Sequence, residues 1–446
     1  MEPAAESVDT LDAIAPGGLP PALELPGRGL AARGRLERAR AAYERVRFPL
    51  LVYLGSRALL LAVAIVNGAL RHHALLNELA NWDGLWYRAV ANLGAAGSDG
   101  IYPLVVSHGH VYTNVFHGGF YPHHVYHAQT NLGFFPLYPL VIWVLSNPVR
   151  WISGHSAVYS ITLAGVLVSM AGGLVATVIV QRLAAGWWGR AAARRAVLLF
   201  CLFPGSVVFS MVYAEGIALP LAAGCILALE RRRWALAGLL AGLAAAAEPE
   251  ALVMVVVCAA VTLVHIRRVG ARGPDARRSL LAPLLAACGP AGVGAFFWAW
   301  TGSPLATFTT QRYGWHEKTD PLALAHLLTR FAGQVSFAHF NHPTINLNLP
   351  VGIAGAVLLL VGLLLLATSR ARISLPAALW TLGIAFIAVT SEYVPPNPRL
   401  LITAFPAVLV FAHRLRGSKW SWFLGANAVA LAGLSALTFV GVTLRP

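Results

Sequence analysis

Charged residues are scarce in this chain of 446 residues: they make up 11% of the sequence, whereas 57% of the residues are hydrophobic. A soluble domain carries roughly 25% charged residues, so this composition excludes a water-soluble globule. The abundance of apolar residues also excludes general disorder. There are only four cysteines, all in or beside apolar segments and far apart, which excludes a disulfide framework or a Cys-x-x-Cys metal site.

The sequence instead contains long apolar runs. The first runs from Phe48 to Leu70, which is enough to cross roughly 30 Å of hydrocarbon. Because no such run comes earlier, no signal-peptide pattern is expected at the start of the sequence. Further runs, including 157–181 and 195–213, predict an all-α polytopic membrane protein with about eleven transmembrane helices.

The net charge of +15 comes largely from arginines between the apolar runs. Basic residues in such gaps predict cytoplasmic loops, one of them from Arg182 to Arg195, and no nucleic-acid partner is expected. Residues 1–47 are predicted to form a cytoplasmic disordered tail and a basic surface helix. Residues 48–446 are predicted to form the transmembrane domain, in contact with membrane lipid.

Two long segments are predicted on the extracytoplasmic side, at 71–156 and 301–347. The first has only Arg71 and Arg88 as permanent cations before residue 134. The apolar piece at 134–151 contains three prolines, which favours an interfacial or re-entrant helix over a span.

The sequence NWDGLWYRAV at 81–90 opens an amphipathic helix with tryptophans at the membrane interface. Asp83 stands at its start. One interpretation is an N-cap that accepts amide hydrogen bonds, and the other is a general base at the boundary of water and lipid.

Four other segments carry candidate residues. They are FFPLYPL at 134–140, the turn carboxylate Glu215 after FCLFPGSVVFSMVYA, the loop with Gln311, Trp315 and His316 after TGSPLA at 301–306, and Arg399 in PRLLITAFP. An arginine on the outer side opposes the general charge bias, and its guanidinium fork suits phosphate. Snorkelling of Arg399 to lipid headgroups is the alternative interpretation.

In this order, the segments resemble the bacterial relatives of PIG-V, a mannosyltransferase family within the GT-C class of polytopic glycosyltransferases. The resemblance covers residues 81–406. It implies a GT-C-like helical bundle in the plasma membrane and an active site on the extracytoplasmic face. The implied reaction takes a hexose, with mannose expected, from a polyprenyl-phosphate donor to a lipid or glycan acceptor.

The resemblance also implies roles for individual residues. Asp83 is the expected catalytic base, and an inverting, metal-independent displacement is expected. Arg399, Glu215 and His316 are expected at the donor phosphate. The expected interfacial or substrate-lining residues are Trp82, Trp86, Tyr87, Phe135, Tyr138, Gln311 and Trp315.

Two features depart from the family pattern. Glu248-Pro249-Glu250 stands where the bacterial relatives usually carry Arg-Pro-Asn, which replaces a cation by anions. The first outer segment also has a histidine-rich insert, His108 to His127, for which zinc binding is a minor alternative; no cofactor is expected. A transporter or lipid flippase using Glu248 and Glu250, or a non-catalytic scaffold, are the alternative functions.

Overall fold

The computed structural model describes residues 27–95, 104–107, 110–113, 129–335, 346–368, 372–440 and 444–446. The chain divides into two units, Met1–Arg47 and Phe48–Pro446. In the first unit, the described residues 27–47 are helical. The second unit contains all the residues of the candidate site.

Helices make up most of the described chain. They are α1 (Gly27–Arg71), α2 (Leu75–Glu78), α3 (Asp83–Ala95), α4 (Leu137–Ser153), α5 (Ala157–Leu202), α6 (Glu215–Glu230), α7 (Trp234–Ala247), α8 (Val253–Val269), α9 (Pro274–Ser279), α10 (Leu281–Thr301), α11 (Ala306–Tyr313), α12 (Ala323–Val335), α13 (Asn348–Thr368), α14 (Leu375–Thr390), α15 (Pro398–Thr403), α16 (Phe405–Arg414) and α17 (Gly417–Phe439). Short 3-10 helices lie at Asn131–Gly133, Pro204–Ser210 and Pro249–Leu252. The segment 71–156 adds a small antiparallel sheet of β1 (Leu104–Ser107), β2 (His110–Thr113) and β3 (Gln129–Thr130), in the order β2-β1-β3.

Within the described residues, six helical stretches are long and apolar enough to cross a membrane; they lie in α1, α5, α8, α10, α13 and α17. The 3-10 helix Pro204–Ser210 and α6 together form a seventh, bent by 112°. Helices α7, α14 and α16 are shorter and apolar. The predicted all-α polytopic membrane protein is therefore confirmed, while the number of about eleven spans stays a prediction.

The structure shortens the predicted loop between the spans at 157–181 and 195–213 to a break at one residue. The 46 residues of α5 form two helical segments that meet at Gly189, where φ is 80° and ψ is 170°. A straight helix of that length would measure about 69 Å, more than twice the hydrocarbon thickness, so the break is needed. Glycine permits this backbone conformation because it has no Cβ.

Close contacts between small residues bring α5 and α6 together. A Cβ on Gly172 would lie 1.5 Å from the carbonyl oxygen of Gly216, so the two backbones touch. Close approach of this kind is how membrane helices associate where apolar burial gives no driving force. It brings the start of α6, which carries Glu215, against α5.

The segment between α5 and α6 is held by a buried cation. Arg57 of α1 is 3% exposed; it donates to the Ser206 carbonyl oxygen at 2.6 Å and to Ser210 Oγ at 3.0 Å. On its other side the segment packs against α15, since a Cβ on Gly205 would lie 2.0 Å from the Pro398 carbonyl oxygen. The Pro204–Ser210 helix therefore sets the position of α15.

Candidate active site

Asp83 is the first residue of α3, and the backbone just before it is strained, with φ of +59° at Trp82. Such a conformation costs about 1–3 kcal/mol in a bulky residue and persists only where neighbouring contacts impose it. Trp82 Nε1 donates to the Thr438 carbonyl oxygen at 3.1 Å, and the Asp83 amide donates to the Tyr213 hydroxyl at 3.2 Å. These bonds fix the start of α3 between two distant parts of the chain.

Arg399 binds three carboxylates that the sequence separates widely. Its Nη1 donates to Asp83 and its Nε donates to Glu215. Its Nη2 donates to Glu248 Oε1 at 3.2 Å. We call Asp83, Glu215, Glu248 and Arg399 the ion cluster. When all four groups are ionised, it has a formal excess of two negative charges.

The three carboxylates differ in their access to ligand. The side chain of Asp83 is 25% exposed, against 2% for Glu215 and 6% for Glu248. A ligand can therefore reach Asp83 far more easily than the other two. The contact of the Asp83 carboxylate with Arg399 favours a role in the site over the N-cap interpretation.

Local structure explains how Arg399 comes to this position. Asn397 caps α15, because its side chain accepts from the Leu400 amide at 2.9 Å. The guanidinium of Arg399 then lies over the Tyr213 ring, 5.2 Å from its centroid. Tyr213 itself is buried, and its carbonyl oxygen accepts from Ser169 Oγ at 3.0 Å. The guanidinium of Arg399 is thus held by the Tyr213 ring as well as by its three carboxylate partners.

Glu248 is the member of the ion cluster that sequence reasoning left outside the site. It lies in the break between α7 and the 3-10 helix Pro249–Leu252, where the chain must turn before the proline. The Glu-Pro-Glu sequence stood out as unusual, but residue spacing gave no indication that Glu248 pairs with Arg399. Two nearby oxygens, Oε2 of Glu215 and Oε2 of Glu250, are buried without a hydrogen-bond partner within the described part of the chain.

An aromatic cluster follows the ion cluster along α3. Trp86 stacks on Phe134 with ring centroids 5.9 Å apart and meets the edge of Trp315 at 5.3 Å. Tyr87, one turn after Asp83, contacts Phe134 at 5.1 Å and Tyr138 at 4.9 Å. Burial raises the pKa of Tyr87 well above its usual range, and the nearby carboxylates add to the shift. Tyr87 therefore keeps its proton at neutral pH.

The remaining predicted residues lie at different depths around this cluster. Gln311 joins the segments 71–156 and 301–347, since its Nε2 donates to the Gly133 carbonyl oxygen at 2.8 Å. Phe135 and Tyr138 are buried, and the Tyr138 hydroxyl hydrogen-bonds Ser169 Oγ at 3.0 Å, so both support the site from within. His316 is exposed, and no contact between the described residues joins it to the ion cluster.

Glu317 is a further acid that sequence reasoning missed. Burial raises its pKa to about 7, although a hydrogen bond from Ser391 opposes the shift. The backbone around it pairs with the segment leading to α15: the Asp320 amide donates to the Thr390 carbonyl oxygen at 2.7 Å. Only its place in the segment 301–347, between Trp315 and α12, could have drawn attention to it.

The histidine-rich insert, His108 to His127, lies outside the described residues except for backbone positions in β2. Among the side chains that the structure describes, no three His, Cys, Asp or Glu residues are grouped as metal ligands. The metal-independent mechanism stays a prediction.

Comparison with known protein families tests the resemblance to PIG-V. The family model described as "Mannosyltransferase (PIG-V)" matches residues 114–268, about a third of the chain. The predicted resemblance to PIG-V is confirmed over this segment. The matched segment of this PIG-V-like chain includes Glu215 and Glu248, while Asp83 and Arg399 lie on either side of it. No curated protein sequence matches the chain.

Solved structures give more distant similarities. ArnT from Cupriavidus metallidurans bound to undecaprenyl phosphate aligns with a TM-score of 0.45 and 16% identity, covering 87% of this chain and 66% of its own. The apo oligosaccharyltransferase of Archaeoglobus fulgidus aligns with a TM-score of 0.45 and 14% identity, covering 89% and 55%. The chain thus spans about two thirds or less of the length of these proteins.

Proposed function

We propose that the chain transfers a hexose, with mannose expected, from a polyprenyl-phosphate donor to a lipid or glycan acceptor outside the cytoplasm. The observation that carries the proposal is the ion cluster, in which Asp83 is the one exposed carboxylate and Arg399 orients it. The resemblance to PIG-V supplies the class of reaction.

In the proposed reaction the acceptor hydroxyl attacks the anomeric carbon of the donor sugar. The carbon–oxygen bond to the phosphate breaks, and the polyprenyl phosphate leaves with the electron pair. Asp83 takes the proton of the acceptor hydroxyl as general base. Phosphate is a good leaving group, so no general acid is required, in contrast to a glycosidase with two catalytic carboxylates. Displacement in one step inverts the anomeric centre.

Arg399 holds Asp83 in place for this step. Its Nη1 engages one carboxylate oxygen of Asp83, Oδ2, and leaves the other, Oδ1, for the acceptor. Glu215 and Glu248 are nearly inaccessible, so their role in the proposal is to fix the guanidinium. A catalytic group held in one orientation by charged neighbours avoids reorganisation during the reaction.

The charge distribution supports an extracytoplasmic site. Glu215 begins α6, and Arg231–Arg233 follow the other end of that helix. Arg399 lies in α15, and Arg414 lies at the far end of the following helix, α16. Helix α6 and the consecutive helices α15 and α16 therefore each run from the ion cluster at one end to basic residues at the other. Basic residues mark the cytoplasmic side, so the cluster faces outward in a plasma-membrane protein.

A donor comparison tests the proposal. Purified protein in nanodiscs receives radiolabelled polyprenyl-phosphate-mannose or, separately, GDP-mannose, together with a membrane-lipid extract. We expect label in a new glycolipid from the lipid-linked donor alone, and the labelled product identifies the acceptor. Transfer from GDP-mannose alone would contradict the donor class. Donor movement across proteoliposomes without any transfer would favour a flippase.

A further inference from the structure

The phosphate of the proposed donor needs a cation, and Arg399 is poorly placed to provide it. Its Nε, Nη1 and Nη2 all donate to carboxylates, and the ion cluster as a whole has an excess of negative charge. A phosphate brought to Arg399 would lie beside three carboxylates and compete with them for the guanidinium. Removing one partner from a buried ion pair is strongly unfavourable, so a different cation is required.

Arg445 is such a cation. Its guanidinium lies over the ring of Tyr393, 4.4 Å from the centroid, and over the ring of Trp82 at 6.0 Å. Its Nη2 donates to the Tyr393 hydroxyl at 2.9 Å. No carboxylate within the described ranges forms a salt bridge with it. Aromatic stacking holds the fork in one plane and leaves its remaining N–H groups available.

The surroundings of Arg445 place it beside the ion cluster. Trp82, on which it stacks, is the residue before Asp83. The backbone amide of Arg445 donates to Asn348 Oδ1 at 2.9 Å, which ties this part of the chain to α13. The residue after Arg445, Pro446, accepts a hydrogen bond at its backbone oxygen from Asn397 Nδ2 at 2.7 Å. Asn397 lies two residues before Arg399. Arg445 therefore lies between the two segments that carry Asp83 and Arg399.

We infer that Arg445 binds the phosphate of a polyprenyl-phosphate ligand, while Arg399 orients the catalytic carboxylate. The inference rests on the proposed function for the identity of the lipid. It assigns to Arg445 the phosphate contact that was expected of Arg399. A planar guanidinium can donate two hydrogen bonds to phosphate, and the adjacent aromatic rings suit the first isoprene units of the lipid.

Binding of undecaprenyl phosphate to the purified full chain in phosphatidylcholine nanodiscs tests the inference, with the neutral alcohol undecaprenol as the matched probe. Arg445→Gln should weaken undecaprenyl-phosphate binding about 10- to 100-fold, as expected for loss of charge-assisted hydrogen bonds, and leave undecaprenol binding unchanged. Arg445→Lys keeps the charge without the fork and should give an intermediate loss. Arg416→Gln, an exposed arginine at the start of α17, should bind like the parent chain.

Four results would overturn the inference. Unchanged binding of undecaprenyl phosphate in Arg445→Gln and Arg445→Lys would exclude Arg445 as the phosphate ligand and leave the proposed function intact. Equal weakening of both lipids would show a purely structural role. Equal competition by phosphatidylglycerol would show a general headgroup site. If the parent chain bound undecaprenyl phosphate no better than undecaprenol, the proposed donor itself would be wrong.

Discussion

Removing the guanidinium of Arg399 should destabilise the protein through the acids it leaves behind. Glu215 and Glu248 have side chains that are only 2% and 6% exposed, so Arg399→Gln leaves two buried carboxylates without their cation. Breaking a buried ion pair from one side costs roughly 3–5 kcal/mol. We expect a loss of that size in the free energy of unfolding, measured by titration with SDS in mixed micelles.

A second variant distinguishes this cause from general damage. Glu215→Gln removes one of the stranded charges, so Arg399→Gln/Glu215→Gln should be more stable than Arg399→Gln alone. The coupling in this double-mutant cycle should reach about 0.5–3 kcal/mol, the range for residues in one network. If Arg399→Gln unfolded like the parent chain, or if the two effects simply added, the reasoning about the ion cluster would be refuted.

Three further predictions concern packing and pH. Gly205→Ala puts a Cβ 2.0 Å from the Pro398 carbonyl oxygen and should shift α15, lowering transfer about 100-fold, while Gly425→Ala, with open space around it, should not. Gly172→Ala overpacks the contact of α5 with α6 and should cost about 1–3 kcal/mol of unfolding free energy, with parent-like stability as the contradicting result. Burial raises the pKa of Glu317 to about 7 from 4.5, so its stabilising effect is present below pH 4.5 and is lost as the pH rises through 7. Glu317→Gln should flatten that part of the pH–stability curve, and an unchanged curve would contradict the assignment.

The helical framework could be predicted from the sequence because apolar runs of membrane length have few other structures available to them. The start of α6 at Glu215 lies at the turn that the sequence predicted. The two helical segments on either side of Gly189 were predicted, but the loop between them was predicted too long because its arginines resemble a loop. One glycine with a positive φ is enough to break the helix there.

The candidate site was predictable residue by residue but not as an arrangement. Asp83, Glu215 and Arg399 each stood out at the end of an apolar segment, yet nothing in their spacing gave the ion pairs between them. Glu248 and Arg445 were missed because their roles depend on partners more than 50 residues away in the chain. Contacts of that kind follow from helix packing, which a single sequence does not show.

The most direct test of the account is the rate of sugar transfer by Asp83→Asn. Asp275→Asn, at a half-exposed acid that pairs with His265 at the other end of the helices, is the matched control. We predict that Asp83→Asn folds normally and transfers label from polyprenyl-phosphate-mannose about 100- to 10,000-fold more slowly, the range for loss of a general base, while the control is unchanged. A folded Asp83→Asn protein with a near-normal rate would contradict the assignment of the ion cluster as the catalytic site.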